Sequence, residues 1–568
     1  MQQIRGRNDA ASRPAPAAAP AAGAEWWRGA VIYQIYPRSF LDTNGDGIGD
    51  LPGVTAKLDY VASLGVDAIW LSPFFKSPMK DFGYDVSAYR QVDPIFGTLE
   101  DFDRLIEAAH RRGLRVVIDQ VLNHTSDQHA WFQESRQSRT NPRADWYVWA
   151  DPKPDGTPPN NWLSIFGGPA WQWEPRRGQY YLHNFLVSQP DLNYHHPAVA
   201  AQMLEEAEFW LARGVDGFRL DAVNFCFHDP LLRDNPPKPQ SERKGRGFRT
   251  DNPYAYQVHL YDNTRPENYA FLESLRRLLD RYPPSVSLGE VSAEDAVEAM
   301  VQYTSGTRRL HMAYNFELLA DEFSPAHIRN VVETLIARCR DCWPCWAIGN
   351  HDVARVVSRW AIGAPAAESA KLLNAMLLSL RGSVCTYQGE ELGLTQAELP
   401  DAVLQDPYGQ AFWPTFKGRD GCRTPMPWDD RQPAGGFSTG SPWLPVPPEH
   451  LGLAVRRQEA DPGSVLHAYR RFLRWRRGMP ALVRGAIRLH DAPSGALCIE
   501  RELDGESVVA CFNFTGAPCA IRIPAPGDAK PLEGHGFEPS PLEGSVVTIA
   551  AHSAFFGALR ASAGSPEG

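Results

Sequence analysis

The sequence predicts an α/β protein built on a (β/α)8 barrel, with a small domain inserted after the third strand and an antiparallel β-domain at the C-terminal end. Three observations predict it. Eight short, apolar, β-branched runs recur, most followed by stretches whose apolar residues fall at three- and four-residue spacing. That helical rhythm lapses between the third and fourth runs, and after the last amphipathic stretch the pattern changes to alternating apolar and polar residues.

Taken in order, residues 1–24 are rich in Ala and Pro and read as a flexible tail, without the continuous apolar stretch of a signal peptide. The eight runs are AVIYQIYP (30–37), VDAIWLSPFF (66–75), LRVVIDQVLNH (114–124), GVDGFRLDAV (214–223), VSLGEV (286–291), MAYNFELL (312–319), CWAIGNHD (345–352) and SVCTYQGEEL (383–392). Segments such as LEDFDRLIEAAHRRG and AVAAQMLEEAEFWLARG lie between them with helical spacing. Strands apolar on both faces, alternating with helices, suit a parallel barrel over 25–124 and 194–483. A doubly wound open sheet is the alternative, disfavoured because no GxGxxG follows a strand. Residues 125–193, with Trp, Pro, Gly and Asn and little helical period, read as the inserted domain. The runs GAIRLHD, ALCIERELDG, SVVACFNFTG, CAIRIPA and GSVVTIAAHSAFFGAL make the β-domain at 484–562, and 563–568 is a second tail. The segment HDPLLRDNPPKPQSERKGRGFRTDNPYAYQV (228–258) follows the fourth run and could shorten a pocket there.

A chain of 568 residues with 43% hydrophobic and 22% charged residues has a normal globular balance for two or three domains. Its net charge of -10 comes without a basic block, which argues against nucleic acid or an anionic membrane as partner. No stretch reaches the length of a transmembrane helix. The 17 Trp, 19 Tyr and 26 Phe suit flat apolar faces such as those of sugars, although packing could absorb most of them. Nine scattered cysteines read as buried thiols of a reducing, cytoplasmic compartment. CRDCWPC, with Cys339, Cys342 and Cys345, has no second, separate CxxC pair and no histidine at zinc spacing, so it reads as a helix end running into a strand.

Residues 42–50, DTNGDGIGD, follow the first run and carry the ligand order of a calcium loop: Asp42, Asn44, Asp46, the carbonyl of Ile48, and Asp50, with Gly47 at the turn. Gly53 stands where a closing Glu belongs, so this is no EF-hand. Either the loop holds a hard cation, Ca2+ or Mg2+, or it is an Asp/Gly-rich turn that binds nothing.

Barrel chemistry sits at the C-terminal strand ends. Reading only those ends gives Asn123-His124, Arg219-Leu220-Asp221-Ala222, Gly289-Glu290 and Asn350-His351-Asp352. Arg219 and Asp221 are two apart on one strand and point the same way. Asp352 and His351 are adjacent, and both face the site only if their strand has ended by then. Three carboxylates brought this close cannot all ionise, so one holds a proton near neutral pH and can act as an acid. A nucleophilic carboxylate plus an acid/base carboxyl is the arrangement of a retaining glycosidase.

In that order QIYPRSF, GDLPGV, FGYDVSAY, DQVLNHTS, GFRLDAV, GEV, GNHD and YQGEELG resemble the alpha-amylase family of glycoside hydrolases, in its α-glucosidase and oligo-1,6-glucosidase branch, from about residue 25 onward. The resemblance implies that Asp221 is the nucleophile, Glu290 the acid/base, and Asp352 the residue that grips the 2- and 3-hydroxyls. It implies that His124 and His351 bind hydroxyls of the same glucose, and that Arg219 orients Asp221 and keeps it ionised. Asp81 and Tyr84 are expected at the terminal glucose, Tyr84 by stacking, and Arg419 is expected to pair with Asp81, although Arg423 is close enough in sequence to be confused with it. Phe166 and Phe185 are expected as pocket walls. Ala222 stands where, in this branch, Val goes with α-1,6 cleavage and Ala or Thr with α-1,4 preference. The loop 42–50 matches a structural calcium or magnesium site away from the sugar. The expected partner is a small α-glucoside such as maltose, with transglucosylation open. An oligo-1,6-glucosidase or a sucrose or maltose isomerase is the alternative. A non-catalytic relative, such as an ancillary subunit of an amino-acid transporter, would need a membrane anchor and usually lacks part of the triad.

Overall fold

The structure is a computed structural model, and it describes residues 25–243, 251–524 and 529–559. The expected tails 1–24 and 563–568, and the middle of the 228–258 segment, lie outside the described residues. All eight apolar runs form strands: β1 (Val31–Ile35), β2 (Ala68–Leu71), β3 (Arg115–Val121), β4 (Gly217–Asp221), β5 (Val286–Val291), β6 (Met312–Asn315), β7 (Cys345–Trp346) and β8 (Ser383–Tyr387). They pair in parallel in the order β6-β5-β4-β3-β2-β1-β8-β7. A parallel bridge from Ala313 to Pro344 joins β6 to β7, so the sheet curls into a nearly closed barrel with no long free edge.

Strand alternation sorts the side chains. Ile32, Trp70, Val117, Leu288 and Met312 fill the barrel, while Tyr33, Ile69, Phe218 and Leu220 face the helical layer. The helix Leu99–Arg111 begins at a capping box in which Thr98 and Asp101 satisfy each other's backbone N–H groups, and it buries Phe102, Leu105 and Ile106 against the sheet. The helix Pro197–Leu211 starts with proline at its first position and buries Met203, Ala207 and Trp210. Strand β7 is only two residues long, so the chain leaves the sheet before Asn350 and is free to turn both His351 and Asp352 toward the barrel mouth.

Between β2 and the helix 99–111 a hairpin of Phe75–Lys76 and Ala88–Val92 carries Asp81 and Tyr84. The irregular region after β3 folds into a helix, Ala130–Ser135, and a three-stranded antiparallel sheet packed on Trp162 and Trp171. At the C-terminal end a five-stranded antiparallel sheet is joined by a three-stranded one. The short strands Ala529–Pro531 and Leu542–Glu543 were not expected, because two or three residues carry no readable alternation. One expectation about cysteine is corrected. Cys339 and Cys342 are not thiols but a disulfide, since the chain leaving helix Pro325–Arg338 turns tightly enough to bring their Cα atoms to 5.3 Å. The other seven are free, six of them buried.

Arg501, with no exposed surface, stitches the β-domain to the barrel. Its Nη1 donates to the carbonyls of Ser379 and Leu380, at the end of a barrel helix, and of Leu482, while Nη2 and Nε reach Gly485 and Ala486. It pairs with no carboxylate among the described residues, and burial holds its pKa well below the usual guanidinium range. Carbonyl oxygens carry the whole burden of solvating a buried cation here. Arg501→Met strands those carbonyls and is expected to cost on the order of 3 kcal/mol. The check is a lower melting temperature together with turnover unchanged in the folded fraction.

Candidate active site

The strand ends converge on one guanidinium. Register sets this up: Asp119 on β3 pairs across to Arg219 on β4, Arg219 to Leu288 on β5, and Glu290 to Tyr314 on β6. Two residues along, Asp221 therefore stands level with Glu290 and on the same inward face. Arg219 is fully buried. Its Nη1 lies 2.8 Å from Asp119 and 2.7 Å from Asp221, and its Nη2 lies 2.5 Å from Glu290. The Tyr314 hydroxyl accepts from Nη2 at 2.9 Å and donates to Glu290 Oε1 at 2.8 Å. The backbone N–H of Ala222 donates to Glu290 Oε2 at 3.2 Å.

One positive charge thus serves three carboxylates. Burial raises Asp221 and Glu290 each to about 7 and Asp119 to about 6, against the opposing pull of Arg219. The sequence-level expectation was that Arg219 keeps Asp221 ionised; its charge is divided, and burial outweighs it. Asp221 and Glu290 together hold a proton around neutrality.

Asp352 behaves differently. Burial works against its charge, but the Arg419 and Arg423 guanidiniums outweigh that and hold it below the usual carboxylate range. Its Oδ1 accepts from Arg419 at 3.0 Å and from Arg423 at 2.8 Å. Arg419 also reaches Asp81 at 2.8 Å and Asp406 at 2.7 Å. Both arginines are therefore present, with Arg419 on Asp81 and Arg423 on Asp352 and the His351 carbonyl.

These groups open on a pocket of about 750 Å3 that reaches solvent, lined by Asp81, Tyr84, His124, Phe166, Phe185, Asp221, Ala222, Glu290, Asp352 and Arg419 together with Ile165, Phe225, Ser292, Phe316 and Tyr408. Two expected contacts, Arg219 and His351, stand behind that wall. Gln34 Nε2 donates to His351 Nδ1 at 2.7 Å, and His351 Nε2 meets the Tyr84 hydroxyl at 2.5 Å. The Tyr84 ring stacks on His351 at 5.3 Å and 3°. Burial lowers His351 and His124 to about 3, so both rings are neutral. His124 faces Gln189, whose amide also donates to Asp81 at 3.0 Å.

Sequence reading missed Asp119, Gln189, Tyr314, Tyr408 and Asp406. Asp119 lies inside the quoted DQVLNH, one strand across from Arg219, and alternation along that strand was the signal for it. Nothing in sequence order points to Gln189, Tyr408 or Asp406.

None of the five candidate ligand residues of the loop 42–50 lines the pocket. Asp42 is buried and accepts from the backbone N–H groups of Asn44, Gly45 and Gly47 and from the Ser438 hydroxyl. Asp50 caps the helix Leu51–Ala56 by accepting from Gly53. Asn44 Oδ1 and the two Asp46 oxygens each accept one hydrogen bond and keep a lone pair. Gly47 has φ 91°, and a Cβ there would stand 2.0 Å from the Ser441 carbonyl, so only glycine makes this turn. Among the described residues no group of three or more His, Cys, Asp or Glu side chains gathers as a metal site. The all-oxygen donors of Asn44, Asp46 and the Ile48 carbonyl, backed by Asp42 and Asp50, suit a hard cation by chemistry.

The model of the alpha-amylase catalytic domain matches residues 34–485, well over half of the chain. The chain belongs to the alpha-amylase family. It is similar to a probable alpha-glucosidase of Rhizobium meliloti (strain 1021), 56% identical over 538 residues, covering 94% of this chain and 97% of the relative. It is also similar to an oligo-1,6-glucosidase of Parageobacillus thermoglucosidasius, 38% identical over 533 residues, covering 88% and 92%. Among solved structures, an alpha-glucosyl transfer enzyme superposes with a TM-score of 0.92 at 60% identity, covering 94% of this chain and 99% of that one. No helix among the described residues is long and apolar enough to cross a membrane.

Proposed function

We propose that this protein is a retaining, exo-acting α-glucosidase that releases terminal glucose from short α-glucosides, preferring α-1,4 bonds such as that of maltose, and that it passes glucose to other hydroxyls as well as to water. The observation that carries the reading is the pair Asp221 and Glu290, level on adjacent strands, bridged by one buried guanidinium and facing one pocket. Asp221 attacks the anomeric carbon with the oxygen that Arg219 does not hold, and Glu290 protonates the leaving oxygen. Glu290 then takes a proton from the incoming water as the ester to Asp221 breaks. Asp352, kept ionised by two arginines, grips the ring hydroxyls, and Asp81 with Arg419 bounds the pocket where a longer chain would have to continue. The similarity to a probable alpha-glucosidase and to a transfer enzyme supports both halves of this reading.

Asp221→Asn and Glu290→Gln are each expected to lower turnover by several orders of magnitude with the fold intact, because each removes a chemical step. With an aryl glucoside Glu290→Gln loses less in the first step, as that leaving group needs little protonation. In the wild type, kcat/KM follows a bell in pH. Its alkaline limb falls near pH 7, because a carboxyl raised to about 7 loses the shared proton as pH rises through that value. An Asp221→Asn enzyme keeping more than about a tenth of wild-type turnover would sink the assignment of nucleophile.

We propose also that Asp42, Asn44, Asp46, Ile48 and Asp50 hold Ca2+ or Mg2+, which stiffens the loop after β1 and takes no part in the chemistry. Binding to the folded state alone stabilises it by about 2.7 kcal/mol at a hundredfold excess over Kd. Melting curves with the cation, with chelator and for Asp46→Ala test this: the cation raises the melting temperature of the wild type only, and coincident curves make the loop an ordinary turn.

Ala222 is proposed to read the linkage. It lines the pocket directly after Asp221, at φ 43° and ψ 40°. A β-branched side chain there narrows the floor beneath the leaving sugar, and an α-1,6 partner has one more rotatable bond with which to swing clear. Ala222→Val is expected to raise the isomaltose-to-maltose ratio of kcat/KM by about 1 to 3 kcal/mol of discrimination. Valine also strains a left-handed backbone, a separate effect read as a lower melting temperature. A wild type that already favours isomaltose, or an unmoved ratio, removes Ala222 from this role.

A further inference from the structure

Three segments far apart in sequence form the aromatic side of the pocket, and one buried amide ties two of them. Ile165, Phe166 and Phe185 come from the inserted domain, Phe225 from the turn after β4, and Tyr408 from the helix Pro407–Phe412 after β8. Their rings touch in series. Tyr408 stacks on Phe166 at 5.0 Å and 24°, Phe166 meets Phe185 edge-on at 5.8 Å, and Phe185 meets Phe225 at 5.5 Å. Asn252 lies behind this wall with no exposed surface. Its Nδ2 donates to the Ile165 carbonyl at 2.7 Å and to the Tyr408 hydroxyl at 3.3 Å, and its Oδ1 accepts from Tyr254 N at 3.0 Å, capping the turn Pro253–Tyr256. Asp406 holds Arg419 and caps the helix 407–412 by accepting from the Tyr408 backbone N–H, and the Tyr408 ring meets Phe412 and Phe416 edge-on at 5.2 and 5.0 Å, so this ring packs the helix onto the wall.

We propose that Asn252 is a positioning residue for the choice of acceptor, holding the Phe166–Tyr408 wall against the inserted domain so that the glucosyl intermediate is met by a bound hydroxyl compound with an apolar face rather than by bulk water. This rests on the retaining glucosidase reading. In the step concerned, the acceptor oxygen forms a bond to the anomeric carbon, its proton passes to the Glu290 carboxylate, and the ester bond to Asp221 breaks to return the Asp221 carboxylate. Water and acceptor compete for that one step. Stacked rings supply the face on which a sugar ring or an aryl or alkyl group rests, and a wall free to swing loses the acceptor while admitting water. Asn252 touches neither substrate nor reacting atoms, and the first step does not depend on it.

The test uses the full chain with 4-nitrophenyl α-glucoside as donor and maltose as acceptor. Nitrophenol release measures formation of the intermediate, free glucose measures hydrolysis, and the difference measures transfer. Asn252→Asp keeps the oxygen that caps Tyr254 but sets a carboxylate oxygen against the Ile165 carbonyl in place of a donor, which breaks the tie to the inserted domain and leaves only a hydrogen bond donated by Tyr408. It is expected to lower the transfer-to-hydrolysis ratio by about tenfold, with nitrophenol release within about twofold of wild type and KM for the acceptor raised. Tyr408→Ala, which removes the wall from its other side, is expected to lower the ratio likewise, and serves if Asn252→Asp does not fold. An unchanged ratio in the variant that folds overturns the proposal. So does a fall in nitrophenol release at constant ratio, which marks a general structural role, or a wild type that hydrolyses without transfer. Absence of nitrophenol release from the wild type sinks the glucosidase reading itself, and the role of Asn252 with it.

Discussion

Everything at the barrel mouth depends on where the charge of Arg219 goes. A guanidinium with no exposed surface, inside a barrel filled by Ile32, Trp70 and Leu288, exists only because its donors find acceptors in fixed directions. Asp119, Asp221, Glu290 and the Tyr314 hydroxyl supply them from four neighbouring strands. Each of those strands is held by its ladder, so the acceptors cannot drift apart. Three carboxylates sharing one cation leave a net negative cluster in a poorly solvated place, and the cheapest relief is to keep a proton. A site with one carboxyl protonated and another ionised follows from packing, before any substrate arrives.

A second, separately built cluster handles the opposite requirement. Asp352 faces two guanidiniums and a histidine that burial keeps neutral, so its charge is secure. Arg419 is itself held by Asp406 and Asp81, from a loop after β8 and a hairpin after β2. The two clusters thus place carboxylates of opposite tendency around one pocket. The rigid members sit on strands and the adaptable ones on loops, and this division lets loop changes alter specificity without disturbing the chemistry.

The aromatic side of the pocket is where such changes act. Phe166, Phe185 and Tyr408 themselves lie outside strands, and their ring contacts, with Asn252 behind, stand in for a sheet. Contacts between loops are weaker than ladders, so small substitutions there shift what the pocket accepts more readily than they shift whether the reaction occurs.

The eight apolar runs and the alternation after the last amphipathic stretch were enough to determine the barrel and the C-terminal sheets and to bring Asp221, Glu290 and Asp352 to one mouth, because strand alternation and strand-end position are local properties readable from one residue and its neighbours, whereas the sheet within the inserted region carries no such signal. The pairing of Arg219 with Asp221 was legible for the same reason, being two residues along one strand. Asp119 was legible in part, since it shares a quoted motif but needs the register between β3 and β4 to reach Arg219. What only the tertiary structure decided is how charge is shared and which loops meet. The raised carboxyls depend on burial by the whole barrel, and His351 stands behind the wall because the Tyr84 ring stacks over it. The Cys339–Cys342 disulfide depends on how the chain turns after a helix. Gln189, Asp406, Tyr408 and Asn252 enter the site through contacts between residues as far as 156 apart in sequence within single hydrogen bonds such as Asn252 to Tyr408. No local pattern encodes such a contact, because loop closure is set by the packing of everything the loops enclose.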